Sequence, residues 1–216
     1  MTHRSLLIAA CLCMSAFTAN AQDDPKSKAI VDKLMAQAKG WTSFQAEFTS
    51  RLQNTKDKLD VKQEGTMQVK GKKFRLVLDK NTVINDGAIV HTYNKDNNEV
   101  MLSDPSEMDQ DLDPSTLITQ YEKGFKSQFV EEKVDAGVAV QVVKLFPLEP
   151  AKKPFHTVVL TVDKAKGEPR VVQILYKDGN IVTYTLKKFT ANPVLADGLF
   201  TFDKSKFPGV EVNDMR

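Results

Sequence analysis

Two histidines, His91 and His156, and the carboxylate run Asp109-x-Asp111-x-Asp113 are the side chains best suited to chemistry beyond the N-terminal leader. A ligating histidine needs partners at fixed spacing, such as H-E-x-x-H on one helix face, and neither histidine has them. Both lie in stretches that alternate apolar and polar residues, the period of a strand. Spacing alone leaves a Ser-His-Asp arrangement open, but no G-x-S-x-G elbow presents a serine. No G-x-G-x-x-G or GK[ST] loop offers backbone amides to a phosphate. The aspartate run resembles the start of a calcium loop. However, Pro114 stands where that loop needs glycine, and Gln120 replaces its bidentate glutamate. These residues point away from an enzyme, a metal site or a cofactor, and toward structural histidines and a solvated acidic loop. The chemistry left is that of apolar faces.

His3 and Arg4 precede an apolar run from Leu6 to Phe17 and then Ala19-Asn20-Ala21. A basic start, a short apolar core and an A-x-A end make residues 1–21 a cleaved secretory signal peptide. The run is shorter than the roughly 20 residues that span a bilayer. Cys11 and Cys13 fall inside it, so residues 22–216 hold no disulfide and no thiolate. Ile8-Ala9-Ala10-Cys11 also resembles a lipoprotein signal with Cys11 lipidated. Against that, only six residues separate Arg4 from Cys11, and an apolar LCMSAFTANA would open the exposed chain. With Arg4 gone, the 30 basic residues become 29 against 28 acidic ones, close to neutrality. No basic stripe interleaved with aromatics is present, which argues against nucleic acid as a partner. No Pro/Ser/Gly-rich linker divides residues 22–216, so one domain is expected.

Elements must position the apolar faces. Asp24-Pro25 is an N-cap with proline at the first helical position, Ile30, Val31, Leu34, Met35 and Ala38 share one helix face, and Gly40 supplies the stop. From Trp41 the period becomes two. Phe44, Ala46 and Phe48 share a face; Leu59, Val61, Gly65, Met67 and Val69 form the return strand. Phe74, Leu76 and Leu78 then alternate with Lys73 and Arg75, and Asn85-Asp86-Gly87 is hairpin-turn chemistry. Glu99 to Leu102 closes this first run of strands. Asp113-Pro114 repeats the cap signal, and Leu117, Ile118 and Tyr121 predict a short helix ended by Gly124. Phe125 to Val134 reads as helix or edge strand. Strands follow at Val138 to Phe146, Val158 to Val162, Val171 to Tyr176, Ile181 to Phe189 and Leu199 to Phe202. Short turns between consecutive strands predict a mainly β, antiparallel sheet of about ten or eleven strands that curls around its helices.

This string of elements resembles the outer-membrane lipoprotein carrier (LolA) family over most of residues 22–216. Trp41-Thr-Ser-Phe44-Gln-Ala-Glu-Phe48 looks like the family's first strand, and Gly65-Thr-Met67 to Lys73-Phe74-Arg75 like its G-x-hydrophobic strand running into K-F-R. Asn85-Asp86-Gly87 to Tyr93-Asn94 is similar to its D-G hairpin, and Asp113 to Ile118 to its short lid helix. Phe200-Thr-Phe202 to Pro208-Gly209-Val210-Glu-Val212 resembles its closing motif, the most specific match. The resemblance implies an incomplete antiparallel β-barrel whose helices cover the concave side. It implies a periplasmic chaperone, most simply a monomer, that takes acylated lipoproteins from an inner-membrane lipoprotein-releasing ABC transporter to an outer-membrane lipoprotein acceptor.

On that resemblance Phe44, Phe48, Met67, Phe74, Leu76 and Leu78 wall the acyl-chain cavity, with Leu117, Ile118 and Tyr121 as a lid facing it. Three departures stand out. Lys70-Gly71-Lys72 replaces the family's Arg-Pro, His91 replaces its hairpin Trp, and the first strand's F-x-Q ends in Ser50. Lys70 and Lys72 therefore become candidates for the latch that an arginine fork provides in the family. The energetics suit a carrier. Burying a chain of about 16 carbons is worth on the order of 12 kcal/mol gross, at about 0.8 kcal/mol per methylene. A lid packed into its own empty cavity would offset enough of this for release. Two other classes share such a half-barrel: a lipoprotein-binding sensor, and a plain structural or small-lipid-binding module. A lipid on Cys11 would instead make the protein a membrane-anchored acceptor.

Overall fold

A computed structural model describes residues 24–108, 121 and 123–216 of the protein. One helix, α1 (Pro25–Lys39), precedes twelve strands: β1 (Ser43–Asn54), β2 (Leu59–Lys70), β3 (Lys73–Leu78), β4 (Asn81–Asn85), β5 (Val90–Asn94), β6 (Glu99–Ser103), β7 (Phe125–Asp135), β8 (Val138–Pro147), β9 (Phe155–Asp163), β10 (Pro169–Tyr176), β11 (Ile181–Ala191) and β12 (Glu211–Asp214). They form one sheet in the order β12-β6-β5-β4-β3-β2-β1-β11-β10-β9-β8-β7. The first six strands run as a meander, the next five as another, and the β1–β11 ladder joins them. Strands β12 and β7 lie at opposite edges, so the barrel is incomplete.

The described residues form twelve strands, where about ten or eleven were expected. Phe125–Asp135 is an edge strand and not a helix. Leu199 to Phe202, expected as a strand, belongs to a 3-10 turn at Asp197–Phe200, where Phe200 is buried. The closing strand is β12, which pairs parallel with β6, so the sheet is not wholly antiparallel. Four residues carrying Glu, Asn and Asp give no apolar alternation, and the hairpin rule finds only antiparallel neighbours. The expected helix around Leu117 and Ile118 lies outside the described residues.

Helix α1 forms for the reasons its sequence suggests. Asp24 accepts from the Lys26 amide at 3.0 Å, Pro25 opens the first turn, and Ile30, Val31, Leu34, Met35 and Ala38 are buried. Gly40 caps the far end with right-handed φ, so conformational freedom is not what stops the helix there. The helix lies on β7 and β8. Its N-terminus is tied to β7, where the second Asp24 oxygen accepts from the Phe129 amide at 2.9 Å and Ser27 Oγ donates to Ser127 Oγ at 2.9 Å. Its C-terminal half reaches the β9–β10 turn through Gln37, which donates to the Lys166 carbonyl at 2.9 Å.

These amides, first that of Phe129 and then that of Lys26, hold the Asp24 carboxyl below the usual carboxylate range. A depressed carboxyl contributes stability that is present above its unfolded value of about 3.9 and lost as pH falls through its lower folded value. Asp24→Ala should therefore lower Tm at pH 7, and the gap to the natural protein should narrow below about pH 4. Thermal melts of both proteins from pH 7 to pH 2.5 check this.

Candidate functional site

The antiparallel ladders of β1 to β4 bring separate alternating runs onto one face. Phe44 stands opposite Val69, Val69 opposite Phe74, and Phe74 opposite Asn85. The next row is Ala46, Met67, Leu76 and Val83, and the next is Phe48, Gly65 and Leu78. Phe44, Phe48, Met67, Val69 and Phe74 form one buried cluster, with Leu76, Leu78 and Val83 packed against it and half-buried. All six wall candidates thus lie in a single cluster. Along β2 and β3 its exposure rises. Phe74 is 1% exposed at one end, whereas Val61 (43%) and Leu59 (36%) share the face at the β1–β2 hairpin and stand in solvent.

Gly65 shapes the middle of this face. A Cβ there would sit 2.5 Å from Phe48 Cζ, so the Phe48 ring lies flat across the glycine backbone. The ring meets Tyr184 of β11 edge-on at 5.9 Å. The β1–β11 register shifts between Glu47 and Phe48, and Lys187 is the extra residue. That bulge lets Leu186 and Phe189, three apart, both join the cluster, while Lys187 pairs with Glu64 on the other face. Trp41, 4.8 Å from Phe189, and Tyr184 touch both this cluster and a second one beneath α1. Burial pushes the Tyr184 hydroxyl above its ordinary range, as a seam between two apolar clusters should.

The outer face is polar over β1, β2, β10 and β11. Thr49, Arg51, Gln53, Asp60, Lys62, Gln173, Thr183 and Thr185 line a cavity of about 660 Å³, with Arg51 bonded to both Asp60 oxygens at 2.8 and 2.6 Å. Further along, His91 and Tyr93 also face outward, and the C-terminal segment covers them. Phe202 stacks on His91 at 5.4 Å and on Phe207 at 4.8 Å, and Phe207 packs on Tyr93 at 4.5 Å. His91 is therefore half of an aromatic stack, which is how an imidazole can stand where a family tryptophan would. His156 Nδ1 lies 2.8 Å from Thr157 Oγ1. Among the described residues no three His, Cys, Asp or Glu side chains form a group that could hold a metal ion, and no helix is long and apolar enough to cross a membrane.

Of the lid and latch candidates, Tyr121, Lys70 and Lys72 are among the described residues. Leu117 and Ile118 lie outside the described residues. Tyr121 is 3% exposed and packs on Phe125 at 5.3 Å, in the cluster beneath α1 instead of the Phe44–Phe74 cluster. Lys70 donates to the Leu195 carbonyl at 3.2 Å and pairs with Asp197 at 2.9 Å, so it clamps the C-terminal segment. Lys72 is exposed in the β2–β3 turn. Trp41, Tyr184, Leu186, Phe189 and Met108 complete the site without having been expected in it.

The family profile for the outer membrane lipoprotein carrier protein LolA matches residues 39–203. No curated protein sequence matches the chain. Among solved structures, an uncharacterized conserved protein from Thermus thermophilus superposes with a TM-score of 0.56 at 11% identity, over 88% of this chain and 99% of that one. A LolA superfamily protein from Nitrosomonas europaea gives 0.41 at 11% identity, over 82% and 97%. The lipoprotein LppX of Mycobacterium tuberculosis gives 0.49 at 15% identity, over 80% and 98%.

Adding a methyl at Gly65 must push the Phe48 ring out of a packed site. Gly65→Ala should cost roughly 1–3 kcal/mol, and pairing it with Phe48→Leu should recover part of that loss. Urea denaturation of the single and double variants measures both.

Proposed function

The chain belongs to the LolA family of outer-membrane lipoprotein carrier proteins, and from that premise we propose that it is a periplasmic carrier of acylated lipoproteins. It is exported by residues 1–21 and acts as a single monomeric domain over residues 22–216. It receives its cargo from an inner-membrane lipoprotein-releasing ABC transporter and hands it to an outer-membrane acceptor. It shields acyl chains and performs no catalysis.

The observation that carries this reading is the one-sided apolar face of β1 to β4, buried at Phe44 and Phe74 and open at Leu76, Leu78 and Val83. A saturated chain has no polar group to recognise, so it needs continuous hydrocarbon contact and exclusion of water. Leu76 and Leu78 offer the first contact, and deeper insertion displaces whatever covers Phe48 and Met67. Met108, packed on the cluster, leads into the segment that carries Leu117 and Ile118. Those two residues remain the lid candidates. The arrangement is graded: entry costs little at the open end and progressively more toward Phe74, which limits affinity and favours delivery.

Position 78 tests this better than position 74. Phe74 is 1% exposed, and a carboxylate there would unfold the chain before it said anything about cargo. Protein purified from periplasm should carry a stoichiometric triacylated lipoprotein by mass spectrometry. Leu78→Glu should keep a native circular dichroism spectrum and lose that lipoprotein. Free lipid in its place would instead identify a small-lipid binder, and an empty natural protein a filled core.

A further inference from the structure

We propose that the rim formed by the β2–β3 turn and the loop after β11 is a docking tip for an anionic bilayer surface. Val194 is fully exposed, at 102% of its reference area. A loop that simply failed to bury a valine would be loosely held, and this one is pinned on both sides. Asn192, at φ 53°, donates its amide to the Ser43 carbonyl at 2.8 Å and accepts from the Thr42 amide at 2.8 Å. Ser43 Oγ donates to the Pro193 carbonyl at 2.8 Å. Leu195 is buried, and its carbonyl takes the Lys70 ammonium at 3.2 Å. The Gly71 amide donates to the Thr42 carbonyl at 3.1 Å, which locks the β2–β3 turn to the same rim. The fold thus holds one apolar side chain out in water on a rigid support.

Lysines outnumber carboxylates around it. Lys72 is exposed in the β2–β3 turn and Lys73 follows it. Lys39 ends α1 just before Gly40, whose carbonyl accepts from Asn192 Nδ2 at 3.3 Å. Of the nearby carboxylates, Asp197 is taken by Lys70 at 2.9 Å, and Asp86 accepts from the Ala88 and Ile89 amides. A tip of one valine and a few lysines is far below the roughly 800 Å² per partner of a stable protein interface. A bilayer accepts such a footprint, because a single side chain can enter the headgroup layer while lysines meet anionic lipid. The contact is therefore weak, reversible and salt-sensitive. It does not rest on the lipoprotein reading. The rim and the exposed Leu59 and Val61 lie at opposite ends of β1 and β2, so bilayer contact and cargo capture do not compete.

Flotation of the full chain with vesicles of phosphatidylethanolamine and about 30% phosphatidylglycerol, against pure phosphatidylcholine vesicles, tests the proposal. Binding is expected to the first and not the second, and to disappear in high salt. Val194→Ser should weaken it about fivefold and Lys72→Glu roughly tenfold, while Lys28→Glu on α1 and Val61→Ser at the far end leave it unchanged. The proposal is overturned if the anionic vesicles bind nothing, if Val194→Ser and Lys72→Glu bind like the natural protein, or if Val61→Ser abolishes binding.

Discussion

The antiparallel register of β1, β2 and β3 is the constraint on which the rest of the molecule depends. A ladder forces residues two apart onto one face, and three separate alternating runs meet in phase here: Phe44-Ala46-Phe48, Gly65-Met67-Val69 and Phe74-Leu76-Leu78. A slip of one residue in any of them would turn its apolar side outward among Thr49, Arg51 and Lys62. The register is pinned at its centre, where the Phe48 ring covers the bare backbone of Gly65. It is pinned at its edge by the Lys187 bulge, which restores phase with β11. The pairing of Lys187 with Glu64 on the outer face favours the same alignment.

The two halves of the inner face are finished differently, and function follows from the difference. Over β7 to β10 the face is closed by α1, which contributes Ile30, Val31, Leu34 and Met35 to a buried cluster and is bolted down at both ends by Asp24 and Gln37. Over β1 to β4 no described helix plays that part, and apolar exposure grows from Phe74 toward Leu78 and Val61. One half is built for stability. The other leaves hydrocarbon within reach of a ligand made of hydrocarbon. Stiffness in the first half lets the second keep its shape. The C-terminal segment supports that shape from behind, stacking Phe202 and Phe207 on His91 and Tyr93 and adding β12 beyond β6.

Much of this was legible because local rules and tertiary packing agree. Asp24-Pro25 and the spacing of Ile30 to Ala38 locate α1, and strict alternation locates the faces that become the cluster. The parts that were not legible depend on distant partners. Leu186 and Phe189 share a face only because of a bulge opposite Glu47, about 140 residues earlier in the chain, and alternation counted along β11 puts them on opposite sides. Phe125 reads equally well as helix or strand, and the docking of α1 decides which cluster it and Tyr121 serve. The position of Lys70 suggests a latch. Its ammonium does bridge a carbonyl and a carboxylate, but those of Leu195 and Asp197, which no spacing rule connects to it.

The central claim is that the inner face of β3, and not its outer face, meets the acyl chains. A photo-crosslinking amino acid placed in turn at Leu76, Val77 and Leu78, in cells making a labelled lipoprotein, measures this directly. Adducts should form from positions 76 and 78 and depend on the lipoprotein being acylated, with position 77 silent. Equal adducts from all three positions, or adducts from Val77 alone, would contradict the account.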